Sequence, residues 1–266
     1  MKIQVIEPGL VLLRQFVSAE ECERIAVMAQ QWGCVESSGE DGFYTSTESG
    51  ERVLNTGEAR GRIYDAATRF PPTLIEPCVA AVHEACRADP VMPSMTCTHL
   101  LLNMYTTSDG LVWHRDIYEN DGTSDHPVVN LSLGATGVFG FRHEETDEAR
   151  TVRLESGDVL LFGGPCRWIQ HAVLEIDLDD CPDWMKGGEG QWQGPPCRFS
   201  FTYRDSPEVL GREHEFKYFR VKEDLVGQGQ FQVPTKKTQL RGEEQEGDFV
   251  AVKSDWQSVH VAAKTA

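Results

Sequence analysis

The first apolar pattern in the chain is a strand followed by a capped amphipathic helix. Four consecutive apolar residues, 10–13, predict a strand that runs to Phe16. Ser18 and Glu21 then have the spacing of a capping box, which marks the start of a helix. The apolar residues behind this box recur at helical spacing: Cys22, Ile25, Ala26, Ala29 and Trp32. This spacing predicts an amphipathic helix.

A loop and a second helix are expected next. Residues 34–60 are rich in Ser, Gly, Glu and Thr, a composition typical of a long loop or an irregular hairpin. The proline pair 71–72 precedes a segment with helical periodicity. This helix is expected to have one apolar side, formed by Val79, Val82 and Cys86.

From residue 97 the pattern changes to short β-rich segments separated by turn residues. The strands predicted there are 99–105, 128–133, 138–141, 151–154, 159–162, 170–173 and 199–203. Many short strands at this spacing indicate an antiparallel sandwich or barrel. The expected organisation is an N-terminal region at 1–96, a β core at 97–205 and a C-terminal extension of undefined role at 206–266.

Composition constrains the partners and the compartment. The net charge is −17, so long-range attraction for nucleic acid is absent and any contact with it needs a local basic patch. The eight cysteines include no Cys-x-x-Cys pair, which favours reduced thiols over disulfides or zinc. The start of the chain does not resemble a signal peptide, and no apolar run reaches the about 18 residues of a membrane span. We therefore expect an intracellular protein, cytoplasmic or nuclear, with no membrane partner.

A histidine and an aspartate separated by one residue are the first candidates for chemistry. In a strand, residues i and i+2 point to the same side, so His114 and Asp116 can bind one metal ion together. Among the other histidines, His171 is the best placed partner, because it follows the predicted strand 159–162. Two imidazoles and one carboxylate leave three adjacent coordination positions open, as is typical of Fe(II) oxygenases. Without such a partner, the end of a surface strand is the better explanation of His-x-Asp, because this short motif is common in proteins.

Strict alternation in the last predicted strand gives a second candidate. It divides residues 198–204 into a face of three aromatic residues and a face that carries Arg198, Ser200, Thr202 and Arg204. Buried arginines need anionic partners, and a dicarboxylate ligand would supply them through bidentate contacts. The alternative is an amphipathic strand whose polar side faces solvent.

Five blocks of the chain resemble, in order, the motifs of the AlkB family of Fe(II)/2-oxoglutarate-dependent dioxygenases. They are Asn103-Met-Tyr105, His114-Arg-Asp116, Asn130-Leu-Ser-Leu-Gly134, Gly157-Asp158 through Gly163-Gly164 to His171, and Arg198-x-Ser-x-Thr-x-Arg204. The resemblance covers roughly residues 8–205. It implies an α+β fold with a double-stranded β-helix (jelly-roll) core, N-terminal helices and a substrate-recognition lid. It also implies an enzyme, since members of the family mostly remove alkyl groups from nucleic-acid bases.

Carried over residue by residue, the resemblance assigns the ligands of the metal and of the co-substrate. His114, Asp116 and His171 would bind Fe(II), and O2 would be the oxidant. The residues assigned to 2-oxoglutarate are Asn103, Tyr105, Arg198, Ser200 and Arg204. Ser200 departs from the family pattern, in which Asn is common at this position. The implied reaction converts 2-oxoglutarate to succinate and CO2, and hydroxylates the N-alkyl carbon, so that the alkyl group leaves as an aldehyde.

The substrate implied by the resemblance is an alkylated base in single-stranded DNA or RNA. An enzyme that acts on a base must take it out of the stack and hold it, often against aromatic side chains. The candidates for this pocket are Tyr64, Trp113 and Tyr118, and the candidates for phosphate contacts are Arg60, Arg62 and Arg69. Ordinary packing is an equally good explanation for each of them.

Two other functions stay open. The same iron chemistry could act on a protein, a lipid or a small molecule, which the acidic composition favours. A non-catalytic binding module could also keep the fold, although the complete set of metal ligands and both arginines argue against it.

Overall fold

The computed structural model describes most of the first 205 residues and two short segments beyond them. The described ranges are 2–33, 43–45, 52–54, 72–97, 99–116, 124–187, 190–205, 219–221 and 250–252. Every structural statement below concerns these residues.

Two α-helices are present where the sequence predicts them. Helix α1 spans Ala19–Gly33, and the Ser18 hydroxyl accepts a hydrogen bond from the Glu21 backbone N–H at 3.3 Å, which confirms the predicted N-cap. Helix α2 spans Pro72–Ala88. None of the described helices is long and apolar enough to cross a membrane.

The buried face of α2 differs from the predicted one. Val79 is 59% exposed, so its assignment to the apolar side was wrong. The buried residues of the helix are Leu74, Cys78, Ala81, Val82 and Ala85. They follow the i, i+4, i+7, i+8, i+11 pattern of one helical face, on which small residues allow close approach to the sheet. The prediction from Val79, Val82 and Cys86 alone therefore identified the buried face less well than the complete apolar pattern does.

The strands are numbered in chain order. They are β1 (Lys2–Glu7), β2 (Leu10–Arg14), β3 (Phe43–Thr45), β4 (Arg52–Leu54), β5 (His99–Tyr105), β6 (Leu111–His114), β7 (Val128–Gly134), β8 (Thr136–Arg142), β9 (Arg150–Leu154), β10 (Val159–Phe162), β11 (Gln170–Asp177), β12 (Arg198–Arg204), β13 (Phe219–Val221) and β14 (Val250–Val252). All seven strands predicted between 97 and 205 are confirmed. The predicted strands did not include β6, which carries His114, or β1, a partly exposed edge strand that mixes polar and apolar residues.

These strands form two antiparallel sheets and a separate pair. The large sheet has the order β1-β2-β10-β7-β12-β5-β4-β3, and the small sheet has the order β6-β11-β8-β9. Strands β13 and β14, in the extension, pair only with each other among the described strands. Strands β1 to β4, which lie before residue 97, belong to the same large sheet as the β core. The pairing of β3 with β4 agrees with the irregular hairpin expected within residues 34–60.

The large sheet is covered on both faces, which explains its continuous apolar strands. In β2, Val11 and Leu13 pack in the cluster that contains both helices, whereas Leu10 and Leu12 pack in a second cluster with residues of the small sheet. Strand β10 divides its four apolar residues in the same way. The second cluster includes Phe139 of β8 and therefore joins the two sheets. This arrangement is the predicted jelly-roll core, with the helices packed on the outer face of the large sheet.

A buried carboxylate ties the turn between β9 and β10 to the end of β2. Asp158 is fully buried and accepts hydrogen bonds from Arg14 Nη1 at 2.7 Å, from the Gln15 N–H at 2.8 Å and from the Glu155 N–H at 3.0 Å. Gln15 has a φ of +47°, an uncommon conformation for a residue other than glycine. The bond to Asp158 stabilises this conformation at the end of the strand.

Replacing Asp158 should therefore destabilise the fold. In Asp158→Ala the Arg14 guanidinium and two N–H groups lose their acceptor, which should lower the free energy of unfolding by about 2–3 kcal/mol. Urea denaturation followed by circular dichroism measures this change. The control is Asp183→Ala, whose side chain is fully exposed and should change stability by less than about 0.5 kcal/mol. Equal stability of the two variants would show that the Asp158 network contributes nothing.

Candidate metal centre

Strand pairing brings the two predicted histidine ligands together. His114 is the last residue of β6, and it lies directly opposite His171 of β11 in the small sheet. Their ring centroids are 4.2 Å apart. Asp116 lies two residues beyond the end of β6, so the argument from alternation within a strand does not apply to it. Its position depends on tertiary contacts instead.

The three side chains form a buried cluster with the donor set of a transition-metal site. His114, Asp116 and His171 are 3%, 1% and 7% exposed. The Nε2 atoms of His114 and His171 lie 3.9 Å and 4.0 Å from the carboxylate oxygens of Asp116. One ligand atom from each of the three falls within 4.8 Å of the others. Two imidazoles and one carboxylate are the set expected for Fe(II) with open coordination positions.

Hydrogen bonds orient both imidazoles for binding through Nε2. His114 Nδ1 lies 2.7 Å from the Val112 carbonyl, and His171 Nδ1 lies 3.2 Å from the Ile169 carbonyl. A proton held on Nδ1 by a carbonyl leaves the lone pair on Nε2, the atom that faces Asp116. Burial, together with the nearby His114, lowers the pKa of His171 to about 3, so its ring is neutral. These residues therefore fit a divalent transition metal.

Two buried arginines hold Asp116 in place. Arg204 Nη2 donates to Asp116 Oδ2 at 2.6 Å, and Arg167 Nη1 donates to the Asp116 backbone carbonyl at 2.8 Å. Arg204 was predicted to face the metal pocket, and the structure places it there, against the carboxylate. Arg167 was not predicted. It is 2% exposed, with its guanidinium over the Trp168 ring, and no local pattern distinguishes it from a surface arginine.

The polar face of β12 lines the interior rather than the solvent. Every residue of this strand is buried, which excludes the solvent-facing alternative. In the register of the large sheet, Ser200 lies opposite Asn103 of β5 and Ser132 of β7, while Arg198 lies opposite Tyr105. The five residues predicted to bind an anionic co-substrate are all buried: Asn103, Tyr105, Arg198, Ser200 and Arg204.

Hydrogen bonds link this face to two polar residues that were not assigned a role. The Asn130 side-chain amide donates to the Ser200 hydroxyl at 2.6 Å, and to the hydroxyl of Thr202 at 3.1 Å. The Ser132 hydroxyl donates to the side-chain oxygen of Asn130, Oδ1, at 3.4 Å. The signal for both was present in the sequence, since Asn130 and Ser132 alternate with apolar residues in β7.

Arg198 is a fully buried cation with few charged neighbours. Its guanidinium donates to the Ser132 hydroxyl at 2.8 Å and to the carbonyls of Ala135 and Leu154 at 3.1 Å and 3.2 Å. Burial lowers its pKa to about 10, although Tyr105 and Asp158 act in the opposite direction. A Cβ atom at position 137 would lie 2.8 Å from Arg198 Nε, so Gly137 is needed for the guanidinium to fit. Such a site suits an anionic ligand.

Among the residues predicted to recognise the substrate, only Trp113 falls within the described ranges. It precedes His114 in β6, so its side chain points to the opposite face of the strand. There the Arg142 guanidinium lies 4.6 Å from the ring centroid. The structure does not bring Trp113 together with the metal ligands. Arg62, Tyr64 and Tyr118, like Arg60 and Arg69, lie outside the described residues.

The chain is similar to known proteins over most of its length. The profile of the 2OG-Fe(II) oxygenase superfamily matches residues 9–204. The DNA N(6)-methyladenine demethylase ALKBH1C of Arabidopsis thaliana is 30% identical over 230 residues, which cover 75% of this chain and 49% of that protein. The tRNA demethylase abh1 of Schizosaccharomyces pombe is 33% identical over 95 residues, which cover 35% of this chain and 31% of that protein. The chain thus spans half or less of the length of these curated relatives.

A solved structure supports the fold independently of these alignments. The structure of OsALKBH1 superimposes with a TM-score of 0.62 at 28% sequence identity. The match covers 77% of this chain and 100% of that one. Because the match covers the whole OsALKBH1 chain, the likeness extends over the complete core of that structure rather than over one sheet.

Substituting any of the three clustered ligands should impair metal binding. Loss of a residue that orients a ligand commonly costs about 10–100-fold in affinity, so His114→Ala, Asp116→Ala or His171→Ala should cost at least about 100-fold. Anaerobic calorimetric titration with Mn(II) measures this, since Mn(II) favours oxygen and nitrogen ligands over thiolates. The matched control is His83→Ala, an exposed histidine of α2. Wild-type affinity in any one of the three variants would remove that residue from the metal centre.

Proposed function

The chain belongs to the 2OG-Fe(II) oxygenase superfamily and, within it, to the AlkB family, and on this premise we propose that it oxidatively removes N-alkyl groups from nucleic-acid bases. The observation that carries the proposal is a single interior site with two parts. One part is the buried set His114, Asp116 and His171. The other is the buried polar face of β12, with an arginine at each end.

In this proposal the chain binds 2-oxoglutarate between Arg204 and Arg198, the two arginines of β12. Arg204 lies at the metal end, where it contacts Asp116, and Arg198 lies six residues away along the same strand. A dicarboxylate that reaches from the metal toward Arg198 gains a charge-assisted contact deep in the protein. Further hydrogen bonds would come from neighbouring positions on β5 and β12, namely Asn103, Tyr105 and Ser200. Ser200 is shorter than the Asn that is common at this position in the family, and Asn130, which donates to the Ser200 hydroxyl at 2.6 Å, would supply the missing amide.

The protein residues position and insulate the reaction. Bound Fe(II), with 2-oxoglutarate and O2, would supply the oxidation of the N-alkyl carbon. Arg204 and Arg167 would keep the Asp116 carboxylate facing the ion. Phe139 and Phe162, whose ring centroids lie 5.6 Å and 4.9 Å from that of His171, would exclude water from that side.

The choice of nucleic acid rests on the relatives. One is named for methyladenine in DNA and another for tRNA, so both polymers are candidate substrates. A net charge of −17 gives no long-range attraction for either polymer. Binding would then depend on a few local phosphate contacts and on one base taken out of the stack, which favours single strands over duplexes.

The acidic charge also supports a second candidate. The same iron chemistry could act on a protein side chain, a lipid or a small molecule, for which a negative surface is no obstacle. The two candidates share every metal and co-substrate ligand, so they differ only in which compound stimulates turnover. A non-catalytic binding module would consume no 2-oxoglutarate under any condition.

The experiment measures the demethylated oligonucleotide and succinate in parallel. Purified protein with Fe(II) and 2-oxoglutarate is incubated with short single-stranded oligonucleotides that carry 1-methyladenine, 3-methylcytosine or N6-methyladenine. We expect loss of one methyl group by mass spectrometry, matched by succinate, with activity falling as salt rises. The controls are unmethylated oligonucleotides and the Asp116→Ala variant. Succinate formation that no methylated oligonucleotide stimulates would exclude the nucleobase reaction and favour the second candidate.

A further inference from the structure

A second cluster of metal-ligating side chains lies outside the site described above. Glu7 is the last residue of β1, His143 directly follows β8, and Cys166 ends a short 3-10 helix at Gly164–Cys166. One ligand atom from each of the three lies within 4.8 Å of the others. Carboxylate, imidazole and thiolate are the three ligand types that zinc accepts in proteins.

The geometry of the cluster is close to that of a zinc site. Glu7 Oε1 lies 2.8 Å from His143 Nε2 and 3.3 Å from Cys166 Sγ, so one oxygen is shared by both partners. Tetrahedral zinc with ordinary bond lengths separates neighbouring ligand atoms by about 3.3–3.6 Å. The first distance is shorter than this range and the second lies at its lower end, so Glu7 and His143 would move apart by about half an ångström to admit an ion. The Cys166 thiol, which also lies 3.3 Å from the Pro8 carbonyl, would turn its sulfur to the ion.

The cluster combines a buried thiol, an ionised carboxylate and a partly exposed imidazole. Cys166 is 1% exposed, while the His143 side chain is half exposed, so the cluster has a closed inner end and an open outer end. Burial raises the pKa of Glu7, but hydrogen bonds from His143, Cys166 and Arg150 outweigh it and leave the pKa below its usual value. The carboxylate is therefore ionised. Burial and the adjacent Glu7 raise the pKa of Cys166 to about 12, so its thiol keeps its proton until a cation displaces it.

We propose that Glu7 Oε1, His143 Nε2 and Cys166 Sγ bind a zinc ion. The fourth position faces the open end, beside His143, and takes water. Binding displaces the proton of the Cys166 thiol to solvent, and His143 binds as a neutral imidazole through Nε2. Arg150 stays paired with the other oxygen of Glu7 and offsets the charge of the two anionic ligands.

The zinc site would stabilise the two backbone segments that position Asp116. Arg115, which lies between two ligands of the first centre, donates to the His143 backbone carbonyl at 2.6 Å. Arg167, directly after Cys166, donates to the Asp116 carbonyl at 2.8 Å. An ion held by His143 and Cys166 would fix both of these backbone segments relative to β1. The role is structural, and it does not depend on the reaction proposed above.

Cobalt substitution tests the proposal on the full chain. In a His114→Ala/His171→Ala background, which disables the first centre, we expect one equivalent of Co(II) to give a thiolate-to-cobalt charge-transfer band and tetrahedral visible bands. One equivalent of Zn(II) should displace it. Cys166→Ser should abolish the charge-transfer band, and His143→Gln should weaken Co(II) binding by about tenfold or more. The matched control is Cys86→Ser, which removes a partly exposed thiol of α2 and should keep the band.

Two outcomes of the charge-transfer measurement would overturn the proposal. One is a Co(II) titration without a charge-transfer band, which would leave the cluster as a hydrogen-bonded contact only. The other is a band that persists in Cys166→Ser, because the thiolate would then belong to another cysteine. Should Cys166→Ser fail to fold, His143→Gln decides, since its half-exposed side chain is not part of the core. Unchanged Co(II) affinity in that variant excludes the site.

Discussion

The buried carboxylate of Asp116 is the charge around which the interior site is arranged. A carboxylate removed from water costs several kcal/mol unless cations or hydrogen-bond donors replace its hydration. Arg204 supplies a direct ion pair, Arg167 holds the backbone of the same residue, and the two imidazoles of the small sheet face its oxygens. The cluster therefore requires both sheets at once, since Arg204 belongs to the large sheet and the histidines to the small one.

The parts of the site that follow from local periodicity could be predicted from the sequence, and the parts that depend on side-chain contacts between distant residues could not. Alternation in residues 198–204 correctly placed the two arginines on one face. Alternation failed at Asp116, because β6 ends at His114 and the carboxylate is held by distant residues. Arg167 escaped prediction for the same reason, since its partner lies 51 residues away in the chain. The buried face of α2 was only partly predicted, because its small residues carry a weak apolar signal.

The two candidate metal sites would have different roles: the first would take part in the reaction, and the second would stabilise the fold around it. Each draws on the small sheet or the segments that follow its strands, and each includes a residue from the stretch between Gly163 and His171. That stretch carries Cys166 toward β1, Arg167 toward Asp116 and His171 into the first centre. This short segment can serve both sites because Cys166 ends the 3-10 helix, Arg167 follows it directly and His171 lies in β11, so each side chain leaves the backbone in a different direction. Recognition of a substrate would depend on other residues, among which Arg62, Tyr64 and Tyr118 remain candidates.

The most direct test of a shared cavity for metal and co-substrate is an anaerobic titration. Fe(II)-loaded protein is titrated with 2-oxoglutarate, and the visible charge-transfer absorption of a 2-oxo acid chelated to Fe(II) is recorded. We expect a band that saturates at one equivalent and that needs about tenfold or more co-substrate in Arg198→Gln, because a charge-assisted contact of about 1.5–3 kcal/mol is lost. Arg24→Gln, a surface change on α1, should behave as wild type. Protein that binds Fe(II) but gives no band at any concentration of 2-oxoglutarate would contradict a shared cavity.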